Sequence, residues 1–315
     1  TPTRRQRQMC IRDRLKTKPT QHSEKELRSL GIQPNILLCR SDRIIPEGER
    51  KKIGLFCNVQ HNCVIQAINA NSIYEVPINF YNEGLDKRVL EYFNLDANKT
   101  IDLKMWSQVS KHVLEPEGKV VIGIVGKYTG LADAYKSLNE ALSHGGIFNN
   151  VKVELKWFES EELNSSNTSS LLANCHGILV PGGFGERGSE GKIAAIKYAR
   201  ENRVPYFGIC FGMQLAVIEM ARNILGIQDA NSSEFSNCNN SIVGLMTEWA
   251  TSDNTTEKRS KNDDLGGTMR LGSYEAKLRK GSKIYNIYKD EIINERHRHR
   301  YEVNNKFAEE FENKG

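Results

Sequence analysis

Between Val204 and Ala221 an apolar extended run meets an apolar helical run with no room for a loop. Val204-Pro-Tyr-Phe-Gly-Ile209 is short and mostly apolar, and Phe211-Gly-Met-Gln-Leu-Ala-Val-Ile-Glu-Met-Ala221 carries apolar residues at helical spacing. Cys210 stands at the junction, between Gly208 and Gly212. This is the cysteine form of the Gly-x-nucleophile-x-Gly elbow, in which glycines let the chain turn sharply and strain exposes the nucleophile above a sheet. The helix N-terminus that follows supplies partial positive charge and free N–H groups, which favour a thiolate and a developing oxyanion. The same pattern also suits a buried structural cysteine between two packing glycines.

The residues ahead of the elbow constrain the fold further. Val120–Val125 is a continuous apolar run of the kind found in parallel sheets covered on both faces. Asp133–His144 has helical spacing and meets Gly145-Gly146, which should end it. Val151–Trp157 alternates, Glu159–Ser170 is a polar link, and Gly177–Val180 is a third strand. That strand runs into Pro181-Gly-Gly-Phe-Gly-Glu-Arg-Gly188, and Ser189–Asn202 is a helix. Repetition of strand and helix predicts right-handed crossovers and a parallel, doubly wound sheet. Ligand sites gather at the carboxyl ends of such strands, where the glycine-rich loop and Cys210 both fall. The loop suits a tight turn, a phosphate cradle or an oxyanion hole. Combined with a thiol on the same sheet edge, it points to acyl transfer.

Upstream, 1–14 is rich in arginine and poor in apolar residues, and reads as a disordered or non-native leader. Residues 15–117 alternate in α/β style but hold few strands. Lys16-Thr-Lys-Pro-Thr-Gln-His22 reads as a loop offering ammonium and hydroxyl donors, with Ser23 as N-cap of a helix and Gly31 closing it. Asn35–Cys39 and Cys63–Ala67 read as strands, and Pro46–Leu55 as a helix carrying Lys51 and Lys52. Leu85–Phe93 is amphipathic, and Asp96–Gly118 is a polar connection anchored by Trp106. The turn at Pro116-Glu-Gly118 marks a boundary, so 118–315 forms the second domain. No Gly-x-x-x-x-Gly-Lys-Ser/Thr loop occurs in the sequence.

Downstream, Glu234 in Asn231-Ser-Ser-Glu-Phe235 is either a solvated carboxylate or a partner for an α-ammonium group. Arg296-His-Arg-His-Arg-Tyr-Glu-Val303 alternates as a strand, with Arg296, Arg298 and Arg300 on one face and His297 and His299 on the other. One of those arginines suits a bidentate carboxylate contact, although a charged edge strand reads the same way. A net charge of +5 fits anionic small molecules and is weak support for nucleic acid. No apolar run reaches membrane-spanning length. The seven cysteines show no C-x-x-C pair, which suits a reducing cytoplasm.

Leu-Val-Pro-Gly-Gly-Phe-Gly-Glu-Arg-Gly188 and Tyr-Phe-Gly-Ile-Cys-Phe-Gly-Met-Gln214 resemble the class I glutamine amidotransferases. Lys16–Ser23, Ile36–Arg43, Ile53–Val59, Asn231–Phe235 and Arg296–Asn304 narrow the likeness to the CTP synthase family, over roughly Leu15–Phe307. The resemblance implies the end of an amidoligase domain with a P-loop-like parallel sheet, incomplete here, followed by a doubly wound glutaminase domain. It implies hydrolysis of glutamine by Cys210 through a thioester, with ammonia converting UTP to CTP at the expense of ATP. By the family pattern Gly183 contributes to the oxyanion hole, and Phe211, Gly212, Met213 and Gln214 line the glutamine pocket. Glu234 takes the glutamine ammonium, and Arg300 belongs to the same site. Lys16, Thr17, Lys18, Pro19, Thr20, Gln21 and Lys52 correspond to contacts shared by UTP and the feedback inhibitor CTP. Ile68, Asn69 and Ala70 correspond to adenine-side contacts, with divergent side chains. The resemblance also implies Mg2+ with ATP, GTP as allosteric activator, a homotetramer and a cytoplasmic location, and no nucleic-acid or membrane partner. The family's phosphate loop and Mg2+-binding acidic residues are expected before Lys16, and its His-Pro-Glu motif after Gly315, with no metal ligands between. On this reading the chain is truncated at both ends and inactive alone. A glutaminase subunit of another amidotransferase and a non-catalytic assembly chain are the competing readings.

Overall fold

The computed structural model describes residues 15–98, 100–127, 132–236, 240–245, 248–250, 256–258 and 269–314. The expected leader at 1–14 lies outside them. The chain divides into two compact units, one of residues 1–119 with 141–152, the other of residues 120–140 with 153–315.

The first unit opens with α1 (Lys18–Ser29). The loop expected over Lys16–His22 is therefore mostly helix, and Thr17, not Ser23, stands at the N-cap. Proline is tolerated in a first turn, whose N–H groups have no intrahelical partner, so Pro19 starts the helix and does not interrupt it. Gly31, with φ +80°, closes α1 as expected. Strand β1 (Leu37–Ser41) begins later than its sequence pattern suggests. It pairs in parallel with β2 (Val64–Ile68), Leu37 opposite Val64, and α2 (Glu47–Cys57) lies between them in sequence. Cys39, Ile45, Ile53, Cys57, Val59 and Val64 form the core of this unit. Three more helices follow, α3 (Val76–Asn82), α4 (Leu85–Tyr92) and α5 (Lys104–Leu114). Helix α5 corrects the polar connection expected over Asp96–Gly118. Trp106, Val109 and Val113 recur at helical spacing there, although the surrounding residues are polar. Trp106 does act as an anchor: its Nε1 donates to the Tyr74 carbonyl at 2.7 Å.

The second unit is built on a four-stranded sheet of order β4-β3-β5-β6. The strands are β3 (Gly118–Gly126), β4 (Val151–Glu159), β5 (Gly177–Val180) and β6 (Tyr206–Gly208). β3, β5 and β6 run parallel, with Ile122 opposite Gly177 and Ile178 opposite Tyr206. Between them in sequence come α6 (Lys136–Phe148), α7 (Thr168–Leu172) and α8 (Ser189–Glu201), and α9 (Phe211–Asn223) follows β6. Helix α6 passes through Gly145 and Gly146, where it was expected to stop. A glycine inside a helix costs only about 1 kcal/mol relative to alanine, and the left-handed residue that follows is Asn150, with φ +53°. The core packs Val125, Ile178 and Val180 of the sheet against Ile196 and Ala199 of α8 and Phe211, Leu215 and Ile218 of α9.

A second sheet of order β13-β8-β7 joins Asn231–Ser232 (β7), Ser241–Leu245 (β8) and Tyr301–Val303 (β13). Short strands β9 (Glu248–Ala250) and β10 (Thr256–Lys258) pair with each other. Strand β11 (Arg270–Lys277) and β12 (Ile292–His299) form an antiparallel ladder flanking α10 (Lys283–Tyr288), and α11 (Ala308–Glu312) closes the described chain. The strand expected over Arg296–Val303 is thus two strands in different sheets. Arg296 and Arg298 share the exposed face of β12, whereas Arg300 sits in the break, where the chain leaves β11 for β8. No helix among the described residues is long and apolar enough to cross a membrane.

Candidate active site

The elbow is as tight as its sequence suggests, and the strain falls on the nucleophile itself. Cys210 itself has φ +51° and ψ −100°, a conformation that L-residues seldom adopt. Neither flanking glycine has positive φ. Their role is close approach. A Cβ on Gly208 would lie 2.5 Å from the Gly212 carbonyl carbon, and one on Gly212 would strike the Val180 carbonyl oxygen of β5. The turn is fastened by Ile209 N–H donating to Val180 O at 3.0 Å and by Gln214 N–H donating to Cys210 O at 3.1 Å. The Tyr206 hydroxyl donates to Gly212 O at 2.8 Å, tying β6 to the first turn of α9.

The glycine-rich loop after β5 reaches the same place. A Cβ built on Gly182 would stand 3.8 Å from Cys210 Cβ, and one on Gly183 would stand 3.7 Å from Phe211 Cδ1. Two charged groups hold the loop. Glu234, in the turn after β7, accepts the Gly185 N–H at 2.7 Å. Lys127, at the end of β3, donates to Phe184 O at 2.9 Å and Gly185 O at 3.4 Å. Phe235 packs edge-on against Phe211, with ring centres 5.9 Å apart.

Gln214 is buried on α9 and donates from Nε2 to Tyr301 O at 2.8 Å. This bond draws β13 to the nucleophile helix, and with it the neighbouring Arg300. The Arg300 Nε is buried and has no hydrogen-bond partner among the described residues. Such a donor is costly to leave unpaired and points to an acceptor supplied by a ligand. Burial and the charge of Glu234 push the Tyr301 hydroxyl up, while Arg300 pulls it down, so both charges act on one residue. The structure therefore gathers Cys210, Gly183, Phe211, Gly212, Gln214, Glu234 and Arg300 around one sheet edge. Met213 lies on α9 beside them and is largely exposed.

The thiol departs from expectation. Burial pushes Cys210 above the usual thiol range, the Phe211 backbone N–H pulls it down, and Glu234 pushes it up again. The helix N-terminus acts in the expected direction and is outweighed. Alkylation of Cys210 by iodoacetamide should therefore be slow at neutral pH and keep rising through the alkaline range. Glu234→Gln removes a charge that raises the thiol, so at pH 8 it should speed alkylation about two- to five-fold. Peptide mass spectrometry reads this, and an unchanged or slower rate would contradict the electrostatic account.

His297 and His299 are engaged with each other. Their Nδ1 and Nε2 atoms lie 2.9 Å apart, and the Arg270–Glu302 ion pair lies beside them. In the first unit, Thr17 is buried at the start of α1 and its Oγ1 accepts from Gln21 Nε2 at 3.2 Å. Lys16, Lys18, Pro19 and Lys52 are exposed, and Thr20 is half-buried. Ile68 ends β2 and Asn69 and Ala70 follow it, with Asn69 N–H donating to Ser41 O at 3.1 Å. Lys127, Tyr206 and Lys192 escaped the sequence reading. For Lys192 a signal existed: it shares the buried i, i+3, i+4, i+7 stripe of α8 with Ala195, Ile196 and Ala199.

Known proteins match both units. The family model for glutamine amidotransferase class-I matches residues 130–315, and that for the CTP synthase N-terminus matches residues 7–95. The second match begins inside the 1–14 stretch, ahead of Leu15. A CTP synthase of Brucella anthropi is 59% identical over 301 residues, which is 96% of this chain and 55% of the relative. One of Methylorubrum populi is 57% identical over the same coverage. The chain thus spans about half the length of the curated relatives it matches. Among solved structures, the glutaminase domain of Trypanosoma brucei CTPS with bound acivicin aligns at a TM-score of 0.54 and 40% identity, covering 62% of this chain and 72% of that one. The chain belongs to the class-I glutamine amidotransferases, in their CTP synthase family.

Proposed function

We propose that the complete protein is a glutamine-hydrolysing CTP synthase, a ligase that aminates UTP to CTP with ATP, and that Cys210 releases the ammonia. The observation that carries this reading is the strained Cys210, facing Gly182 and Gly183, together with a buried Arg300 Nε that has no hydrogen-bond partner among the described residues. The match over residues 7–95 supports this reading over a glutaminase subunit serving some other synthetase.

In the proposed reaction the Cys210 thiolate attacks the glutamine γ-carbonyl. The carbonyl oxygen gains negative charge and is held by the N–H groups of Gly183 and Phe211. The C–N bond then breaks, ammonia leaves with a proton, and a γ-glutamyl thioester remains for water to hydrolyse to glutamate. The proton is handled by the histidine of the family's His-Pro-Glu motif. Arg300 pairs with the substrate α-carboxylate, and Glu234 takes the α-ammonium while holding Gly185. Phe211, Gly212, Met213 and Gln214 shape the pocket from the first turn of α9.

In the first unit, Lys16, Thr17, Lys18, Pro19, Thr20, Gln21 and Lys52 contact UTP, and CTP as feedback inhibitor uses the same contacts. The start of α1 suits this role, because its unpaired N–H groups and nearby lysines favour phosphate. Ile68, Asn69 and Ala70 border the adenine of ATP. Mg2+ accompanies ATP, but among the described residues no group of three or more His, Cys, Asp or Glu is placed to hold a metal ion. GTP is the activator, the assembly is a homotetramer, and the compartment is the cytoplasm.

The test is CTP formation from UTP and ATP, with glutamine or ammonium as nitrogen source, by protein expressed from its complete reading frame. Formation with both sources supports the reading, and formation with neither by folded protein contradicts it. In the same assay Lys16→Ala should raise the UTP requirement about ten-fold or more, the loss expected of one charge-assisted phosphate contact. It should weaken CTP inhibition in parallel. A change in CTP inhibition alone would contradict the shared contacts.

A further inference from the structure

Lys192 is buried to 1% exposure although it carries an amine. It lies in the first turn of α8, directly under the glycine-rich loop. Its Nζ is 5.0 Å from the centre of the Phe211 ring and 3.8 Å from the position a Cβ would take on Gly183. Gly183 and Phe211 are the two residues whose N–H groups face the developing oxyanion in the reading above. Two charged groups act on the amine from neighbouring strands: Lys127 at the end of β3 repels it, and Glu159 at the end of β4 attracts it. Burial outweighs both and, with Lys127, brings it down to about 8. A cation over an aromatic face recovers part of the desolvation penalty, but burying a charge remains costly. A leucine or methionine would fill the same space more cheaply, so the position asks for a reason.

We propose that Lys192 is a positioning residue of the oxyanion site: its ammonium, wedged between the Gly183 backbone and the Phe211 ring, sets the spacing of the two N–H donors and adds positive potential behind them. This rests on the glutaminase reading of Cys210. The ammonium touches neither the thiol nor the substrate and moves no proton. It acts at the stage when charge builds on the carbonyl oxygen.

The experiment compares two reagents on Cys210. The chloromethyl ketone analogue of glutamine presents a carbonyl to the oxyanion site, and iodoacetamide alkylates the thiolate without needing that site. Thiolate content divides out of the ratio of the two rates, measured by peptide mass spectrometry. Lys192→Met should lower the ratio about ten-fold, less than loss of an oxyanion donor itself. It should melt no lower than wild type, since a buried charge has gone. The wild-type ratio should fall as pH rises through about 8, where Lys192 loses its proton, and this limb should vanish in the variant. The reagent's own ammonium titrates alike in both proteins. Lys192→Gln, which can stay hydrogen-bonded, covers the case in which methionine does not pack. An unchanged ratio, or a pH limb that survives in a folded variant, overturns the proposal. Should wild-type Cys210 show no preference for the chloromethyl ketone, the glutamine-site reading fails first and this inference with it. A preference in wild type that Lys192→Met retains defeats the inference alone.

Discussion

Cys210→Ala should lower glutamine-dependent CTP formation by about a thousand-fold or more, the range seen when a covalent nucleophile is removed. Formation from ammonium should persist near the wild-type rate. The split follows from where the residue sits. Cys210 lies at an elbow of the second unit, and the UTP contacts proposed at Lys16–Gln21 belong to the first. Alanine leaves Ile209 N–H on Val180 O and Gln214 N–H on the residue 210 carbonyl, because these are backbone bonds. The variant should fold and keep its ammonia pathway. The assay follows CTP with each nitrogen source, and circular dichroism checks the fold. Loss of both activities in folded protein would contradict the separation of the two chemistries.

The second large effect is on stability. Gly212→Ala should destabilise the second unit by about 3 kcal/mol or more, at the upper end for overpacking a closed site. The added methyl would strike the Val180 carbonyl oxygen. Val180 ends β5 and is fully buried, and its carbonyl already accepts the Ile209 N–H, so neither side can retreat without breaking the turn. Gly208 is under the same constraint from the first turn of α9. Urea unfolding measures the loss. A change below about 1 kcal/mol would show that α9 can lift away from β5, and that the glycine is not required for packing.

The parts legible in the sequence were those set by strong local signals. Gly177–Val180, the helix from Phe211 and the turn at Cys210 were clear because an apolar run and a glycine pair leave few alternatives there. The convergence of Gly183 on Cys210 was also accessible, since parallel strands bring their carboxyl ends to one edge. Helix α5 was missed because the polar stretches around it, Asp96–Asp102 and Glu115–Gly118, masked the helical spacing of Trp106, Val109 and Val113. The start of α1 was misplaced because Ser23 is the stronger capping residue type by sequence, whereas the helix begins at Lys18 with Pro19 in its first turn, where a missing N–H costs nothing. Arg300 was placed on the face of β12 by simple alternation. Tertiary pairing overrode that, since Gln214 and β8 capture Tyr301 and pull the chain into another sheet. Which residue of the elbow carries the positive φ was not legible, because sequence cannot tell close approach at Gly208 and Gly212 from a left-handed backbone. The thiol's direction of shift was out of reach for a similar reason. It depends on burial and on Glu234, which is remote in sequence.

The central claim is that Cys210 forms a covalent bond to glutamine. Protein from the complete reading frame, mixed with isotope-labelled glutamine and quenched in acid before steady state, should carry a γ-glutamyl thioester on the peptide containing Cys210. The same experiment with Cys210→Ala should show none. A γ-glutamyl adduct on Cys39, Cys57, Cys63 or Cys175, or glutamine turnover with no adduct on any cysteine, would contradict the account.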